Sequence, residues 1–451
     1  MNYDEAWAFL DNLQFFKIKL GLDSMSMFLD ELGRPHDRLR CIHIGGTNGK
    51  GSVAVTLLAL LAKAGYKVGL YTSPHLNSVR ERFRINSDFI SRPEFAEEAS
   101  RIRDILNGRQ ITYFEFTTAL AMLWFERRQV DVALMEVGLG GRLDATNVIR
   151  PLVTIITNVS MDHEAYLGNT IDEIAYEKAG IIKKGVPVVC GVEKNIFDEQ
   201  GRALQVIEDT CRSRSAPLYL HGRDFLAEPQ ENGSWNYWAM KRRGCCRVRE
   251  TVRDLYCGLQ GAYQISNAAL ALAVLELLET HGFSVDESTL RQGLTEVRWP
   301  GRLEHFCLSR ADGQVVECGV SGARQYLLDG AHNPAGVQSL IAALKEKFIH
   351  DRLVLIWGAM ADKDLAATLP LIIPLAYRVI LTKQNSERSA STEVLKNIVP
   401  ARYQERILCA PAITKALALA ADMATEQDLI CVSGSLYLIG EARGILLGEI
   451  L

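Results

Sequence analysis

The sequence predicts an α/β protein: a phosphate-loop domain on a central, mostly parallel sheet with a β-rich appendage, followed by a smaller Rossmann-like α/β domain. Three observations predict it. Short apolar runs alternate with longer helical ones along most of the 451 residues, the pattern of a parallel sheet with crossover helices. The short runs end in Gly, Ser, Thr or Asn, and the carboxyl ends of strands are where open α/β sheets bind ligands. The alternation is interrupted once, between Pro217 and Gly258, by a stretch that mixes aromatics, charges and turn residues as antiparallel hairpins do.

In chain order, "RCIHIGG", "KVGLYTS", "DVALMEVG" and "LVTIITNVS" read as strands and "SVAVTLLALLAKAGY" as a helix. The appendage contains "NGSWNYWAMKRRGCCRVRE", and the helix "AYQISNAALALAVLELLETHG" follows it. Pro300 and Gly301 in "VRWPGRLE" mark the joint, which divides the chain into 1–298 and 299–451. Beyond the joint, "QYLLDGAHN", "RLVLIWGAM", "YRVILTK" and "DLICVSGS" are strands separated by helices. Length alone suggests two or three domains.

A hydrophobic share of 48%, a charged share of 23% and a net charge of -4 are those of a globular protein and argue against nucleic-acid or membrane partners. The basic run Lys241 to Arg249 reads as a solvated hairpin face. The opening "MNYDEAWAFLDNLQFF" lacks an uninterrupted apolar core, so neither a secretory signal nor an anchor is expected and a cytoplasmic home follows. Ten cysteines at irregular spacing, without C-x-x-C, disfavour a zinc site and a disulfide framework. The adjacent Cys245 and Cys246 read as thiols packed in or beside a strand in a reducing compartment.

The first strand runs into "GGTNGKGS", which departs from the strict phosphate-loop pattern: Ile44 stands where glycine is usual, and Gly51 separates Lys50 from Ser52. The physics of a phosphate cradle is nonetheless present. Glycines let the backbone turn and expose its N–H groups, and a helix starting near Lys50 points its positive end at the same place. Lys50 adds a mobile cation, and Ser52 offers a hydroxyl to magnesium. Glu136 ends one neighbouring strand, and Asp162 and His163 follow the next. Together they converge on the loop as candidate metal ligands.

Lys178 is the informative residue. Thr170 and Glu173 in "NTIDEIAYEKAGIIKKG" form a capping box that starts a helix near Ile171. Ile171, Ile174, Ala175, Ile181 and Ile182 then share a face with Lys178 in its middle, while Lys183 and Lys184 point elsewhere. A charged lysine on a buried face costs several kcal/mol, roughly, unless paired or chemically changed. Pairing with Glu177 is disfavoured because consecutive helical residues face apart. Three readings stay open: snorkelling, a distant carboxylate, or carbamylation by carbon dioxide.

"GGTNGKGS", "YTSPHL", "ERFRIN", "TYFEFTTALA", "EVGLGGRLDATN", "MDHEAYLG", "EKAGI", "WPGRLE", "LLDGAHNP" and "SGSLYLIGEAR" resemble, in order and along nearly the whole chain, the folylpolyglutamate synthase and dihydrofolate synthase family of the Mur ligase superfamily. The extra glycine after lysine belongs to that family's loop. The resemblance implies a monomeric ligase that uses ATP and magnesium. A substrate carboxylate takes the γ-phosphate to give an acyl phosphate, and the amine of L-glutamate displaces phosphate.

Carried over by position, Ser73, Glu136 and His163 would be magnesium ligands, with Ser52 beside the phosphates, and Lys178 would be the lysine that the family carbamylates. Thr47, Asn48, Gly49, Lys50, Gly51 and Ser52 would cradle the phosphates. Asn267, Arg302, Asp329 and, more weakly, His332 would touch ATP. Because Arg302 and Asp329 lie at or beyond the joint, ATP is expected between the domains, with closure assembling the site. The pterin end would lie near Thr112, Tyr113, Phe114, Glu115, Phe116, Leu143, Asp144 and Ala145, and Arg388 and Ser389 would hold the incoming glutamate. Tyr263, the Ser160-Met161 pair before "DH", and "SERSAS" depart from the family pattern and affect only substrate contacts. A peptidoglycan-precursor ligase is disfavoured by "TYFEF", by "LDATN" and by the lack of a preceding UDP-binding domain. An inactive relative would be expected to have lost Lys50, Glu136, His163 or Lys178.

Overall fold

The computed structural model describes residues 1–13, 21–192, 199–243, 246–386 and 388–448. The chain divides into two units. The first comprises Met1–Pro74, Val79–Gly258 and Gln264–Arg298. The second comprises Trp299–Leu451 with two short excursions, His75–Ser78 and Leu259–Tyr263.

The first unit is built on strands β1 (Cys41–Gly45), β2 (Val68–Tyr71), β3 (Phe83–Ile85), β4 (Asp88–Phe89), β5 (Val132–Glu136), β6 (Val153–Ile156), β7 (Val188–Cys190) and β8 (Leu218–Leu220). Their order is β4-β3-β2-β5-β1-β6-β7-β8. Only β3 and β4 run antiparallel to their neighbours; the other pairs are parallel. Every residue of β1 and β5 is buried, which is why they read as continuous apolar runs rather than alternating ones. Central β1 has Ile44 beside Glu136 of β5 and beside Ile155 of β6, so the loops after these three strands emerge together.

Local signals start the helices. Capping boxes open Tyr3–Asn12 (Asn2 with Glu5), Arg92–Leu106 (Ser91 with Glu94), Tyr113–Arg127 (Thr112 with Glu115) and Ile171–Ala179 (Thr170 with Glu173), each satisfying backbone donors that a helix start leaves without partners. The last of these is the helix expected from the sequence. It stops at Ala179, so Ile181 and Ile182 are buried just beyond its end rather than on it.

Two expectations are corrected here. The appendage begins later than Pro217, because β8 pairs in parallel with β7 and so belongs to the central sheet. Its crossover helix, Glu199–Ser213, returns the chain to that edge. The appendage itself is a three-stranded antiparallel sheet of β9 (Phe225–Pro229), β10 (Trp235–Arg243) and β11 (Cys246–Leu255), with β10 in the middle. Cys245 lies outside the described residues. The amino-terminal helices Tyr3–Asn12 and Asp23–Glu31, not singled out in the sequence, bury Leu10, Met25, Phe28 and Leu29 in the first unit's core.

The second unit holds β12 (Glu304–Ser309), β13 (Val315–Val316), β14 (Ala323–Leu328), β15 (Leu353–Trp357), β16 (Arg378–Leu381), β17 (Ile407–Cys409) and β18 (Leu429–Ser433). The order is β13-β12-β14-β18-β15-β16-β17. β14 to β17 are parallel through the inserted β18, and β12 is antiparallel to both its neighbours. A disulfide joins Cys307 to Cys318, where the cysteine spacing had argued against one. Among the described residues, no helix is long and apolar enough to cross a membrane.

Candidate active site

The loop after β1 is shaped by close approach. A Cβ on Gly46 would lie 1.9 Å from Thr157 Oγ1, and Gly46 has φ +135; a Cβ on Gly49, φ +85, would lie 2.5 Å from Asn267 Oδ1. Only glycine meets both demands at no cost. The loop after β6 holds this turn. Thr47 N donates to Asn158 O (3.0 Å), Asn48 N to Asn158 Oδ1 (2.8 Å) and Thr157 Oγ1 to Asn48 O (2.6 Å). Thr47 Oγ1 donates to Ser160 O and accepts from Ser160 N. Thr157 and Asn158 were not singled out in the sequence; their signal was the polar "TNVS" closing an apolar strand.

Helix Lys50–Lys63 follows, with Gly49 at its N-cap, Gly51 in its first turn and Ser52 buried. Lys50 Nζ folds back to donate to Gly46 O (3.1 Å) and Thr47 O (3.0 Å). Buried Lys178 donates to the same Gly46 O at 3.0 Å. Burial, with Lys50 as a second cause, pushes the Lys178 ammonium down to about 7. Snorkelling is thereby excluded, since the nitrogen ends inside the protein. Glu177, its neighbour, turns away to pair with Arg142 at 2.8 Å.

Glu136 is buried at the end of β5 and accepts Ser73 N at 3.1 Å. The structure therefore brings together two of the expected metal ligands. His163 is the N-cap of the short helix Glu164–Leu167, in a left-handed conformation, and its backbone N–H donates to Asp162. The hydroxyls of Ser52 and Ser73 and the carboxylate of Glu136 are hard oxygen donors, the set that suits magnesium. These residues fit the cation.

Several expected pterin contacts have other duties. Asp144, buried, accepts from Gly138 N, Leu139 N, Thr146 N and Thr146 Oγ1, so its carboxylate holds the glycine loop after β5. Thr146 in turn contacts Nε2 of His43, wholly buried on β1, and burial pushes that imidazole down to about 3. Glu115 is buried within its capping box and accepts Ser24 Oγ, and Phe116 and Ala145 lie in the core. Thr112 is the N-cap. Tyr113, Phe114 and Leu143 are half-buried. Arg82 lies 5.2 Å from the Tyr113 ring, and Phe114 packs where a Cβ on Gly138 would go.

Asn267 is buried against Gly49 and donates to Gln264 Oε1 at 2.9 Å. In the second unit, Asp329 is buried at the end of β14, with Leu303 N and Ala331 N donating to its two oxygens. Burial raises its pKa, and Arg302 opposes the rise. His332 Nδ1 contacts Gly330 O at 2.8 Å. Arg388 is exposed and paired with Asp362, whereas the hydroxyl of adjacent Ser389 is buried without a hydrogen-bond partner.

The Mur ligase middle domain matches residues 44–275, and the Mur ligase glutamate ligase domain matches residues 314–436. The dihydrofolate synthase/folylpolyglutamate synthase of Bacillus subtilis is 32% identical over 98% of this chain and 98% of its own. The chain belongs to the folylpolyglutamate synthase and dihydrofolate synthase family. It spans about half (50%) of the probable bifunctional folylpolyglutamate synthase/dihydropteroate synthase of Haloferax volcanii, 33% identical over 98% of this chain. Escherichia coli FolC, solved with DHPP and ADP, superposes with a TM-score of 0.84 at 28% identity, covering 99% of this chain and 98% of that one. A bifunctional synthase solved with Mn, AMPPNP and L-glutamate superposes at 0.83 with 28% identity, covering 98% of each chain.

Proposed function

We propose that this chain is an ATP-dependent carboxylate–amine ligase that adds L-glutamate to folates and also to dihydropteroate, working as a cytoplasmic monomer. One observation carries the reading: two lysine nitrogens, Lys50 and Lys178, donate to one carbonyl, Gly46 O. Two cations gathered at a helix N-terminus repel each other, and anions placed there relieve the repulsion.

In this reading the loop amides and Lys50 stabilise the transferring phosphoryl group as its charge spreads over the equatorial oxygens. Ser52, Ser73, Glu136 and His163 would hold magnesium, whose charge offsets the repulsion between a substrate carboxylate and the polyphosphate when bound. Asn267, Arg302, Asp329 and His332 contact the nucleotide. Tyr113, Phe114 and Leu143 offer faces to the pterin, and Arg388 and Ser389 hold glutamate. The carboxylate attacks the γ-phosphate and ADP leaves. The free amine of glutamate then attacks the acyl carbon, phosphate departs and an amide remains. Burial and Lys50 push the Lys178 ammonium down to about 7, so it gives up one proton readily; the free amine then adds carbon dioxide and loses a second proton, and an interior cation becomes an anion.

Phosphate release from ATP, measured with glutamate plus dihydropteroate or tetrahydrofolate, tests the reading. Turnover is expected only when a pterin acceptor is present. Turnover with a muramyl peptide alone, or with no acceptor, would overturn it.

A further inference from the structure

We infer that His305, Cys307 and Cys318 form a redox-gated site for a thiophilic divalent cation such as zinc, available when the two cysteines are thiols and closed when they are joined. The inference stands on the second unit alone and does not rest on the ligase reading.

Strand geometry puts the three ligands together. His305 and Cys307 are two residues apart on β12, hence on one face. Cys307 pairs with Val316 of β13, and Cys318 follows in the turn just beyond that strand, its Cα 5.2 Å from that of Cys307. One ligand atom from each of the three lies within 4.8 Å of the others. Donors bound to one tetrahedral zinc at about 2.0–2.3 Å sit roughly 3.3–3.8 Å apart, so small side-chain rotations suffice. The set is two sulfurs and an imidazole, which selects a thiophilic ion over magnesium, and it leaves a fourth position to water.

The surroundings suit a ligand more than a bare cross-link. Gln325, directly opposite Cys307 on β14, places Oε1 3.3 Å from His305 Nε2, the kind of outer contact that fixes a ligating ring. The Phe348 ring lies 5.3 Å from that imidazole. As a staple the disulfide closes a separation of only 11 residues beside strands that already pair, and the entropy a cross-link removes falls, logarithmically, as the loop shortens. In a reducing compartment such a pair belongs more often to a metal or to redox chemistry than to architecture.

The gating step balances. A dithiol reductant gives two electrons and two protons to the S–S bond, which becomes two thiols, while the reductant closes to its own cyclic disulfide. The cation then displaces the two thiol protons to solvent and takes the lone pair of the His305 ring.

The full chain, reduced with a dithiol and then freed of it under anaerobic conditions, would be titrated with Co2+. Thiolate-to-cobalt absorption in the near ultraviolet would be followed, with Zn2+ as competitor. One thiolate-bound Co2+ per chain, counted from that band, is expected in the reduced protein and none in the oxidised one. Cys307→Ser and Cys318→Ser should lose the band, and His305→Ala should bind at least tenfold more weakly. Cys318 is exposed, so Cys318→Ser keeps the test valid should Cys307→Ser fail to fold. A reduced chain without the cobalt band, a band that survives Cys318→Ser, or an unchanged affinity in His305→Ala would each overturn the proposal.

Discussion

The carboxyl ends of the two parallel sheets look alike in topology and differ in how their polar groups are satisfied. At the end of the first sheet, the side chains of Thr157, Asn158, Lys50 and Lys178 all bond to the main chain of one glycine turn. At the end of the second, the Trp357 indole, the Thr382 and Ser389 hydroxyls and the Gln384 carbonyl oxygen are buried without hydrogen-bond partners. A buried polar group left unmade costs about 1–3 kcal/mol. The first end is therefore built before any ligand arrives, and the second carries a debt that a polar ligand can settle.

The largest effect should come from Lys178→Ala. A loss of about a thousandfold in kcat is expected with circular dichroism unchanged, and a short carboxylic acid should restore part of it by standing in for a carbamate. Full activity would remove the lysine from the chemistry. Gly46→Ala comes next. The added methyl meets Thr157 in a backbone region that side chains rarely adopt, so steady-state assays should show about a hundredfold loss, and the double variant with Thr157→Ala should not recover it.

A pair of isosteric changes sharpens the contrast between the two ends. Thr157→Val deletes the donor to Asn48 O and should cost about 1–3 kcal/mol in urea unfolding. Thr382→Val deletes a hydroxyl that has no partner and should be neutral or stabilising by about 1 kcal/mol. Equal effects would erase the distinction.

The smallest effect is in pH. His43 is buried as a neutral ring, pushed down to about 3, so between that value and its ordinary 6.5 the unfolded chain binds more protons than the folded one. Stability should fall as pH drops through that window, by at most about 1.4 kcal/mol per unit from this residue. Urea midpoints at pH 6.5 and 5.5 should converge in His43→Gln.

How much of this was legible depends on the range of the signal. Capping at Thr170 and the apolar face around Lys178 are local, so periodicity located the lysine; the direction of its nitrogen depended on packing against the loop after β1. Strands β1, β2, β5, β6, β14, β15, β16 and β18 could be read because each carries a buried apolar run, whereas β3, β4, β7, β8, β12, β13 and β17 went unread. The extent of the appendage could not be read, since only pairing shows that Leu218–Leu220 belongs to the central sheet. In "TYFEF" the residue types suggested a ligand surface, yet Glu115 and Phe116 serve the helix start and the core. The four donors on the Asp144 carboxylate give that residue a structural task that its motif does not reveal. The His305, Cys307 and Cys318 cluster escaped spacing rules because strand β12 and the turn after β13, rather than one contiguous motif, assemble it.

The strand order sets a timetable. Central β1 is complete by Gly45, yet its partners end at Glu136 and Ile156, so during synthesis it waits 91 residues for the first and 111 for the second. The self-capped segments Arg92–Leu106 and Tyr113–Arg127 need no such wait, and can coil as soon as they clear the ribosome. Pulse-labelled amide exchange on refolding chains should find those two segments protected ahead of β1, because closing long loops is the slow part of assembling a sheet of distant strands.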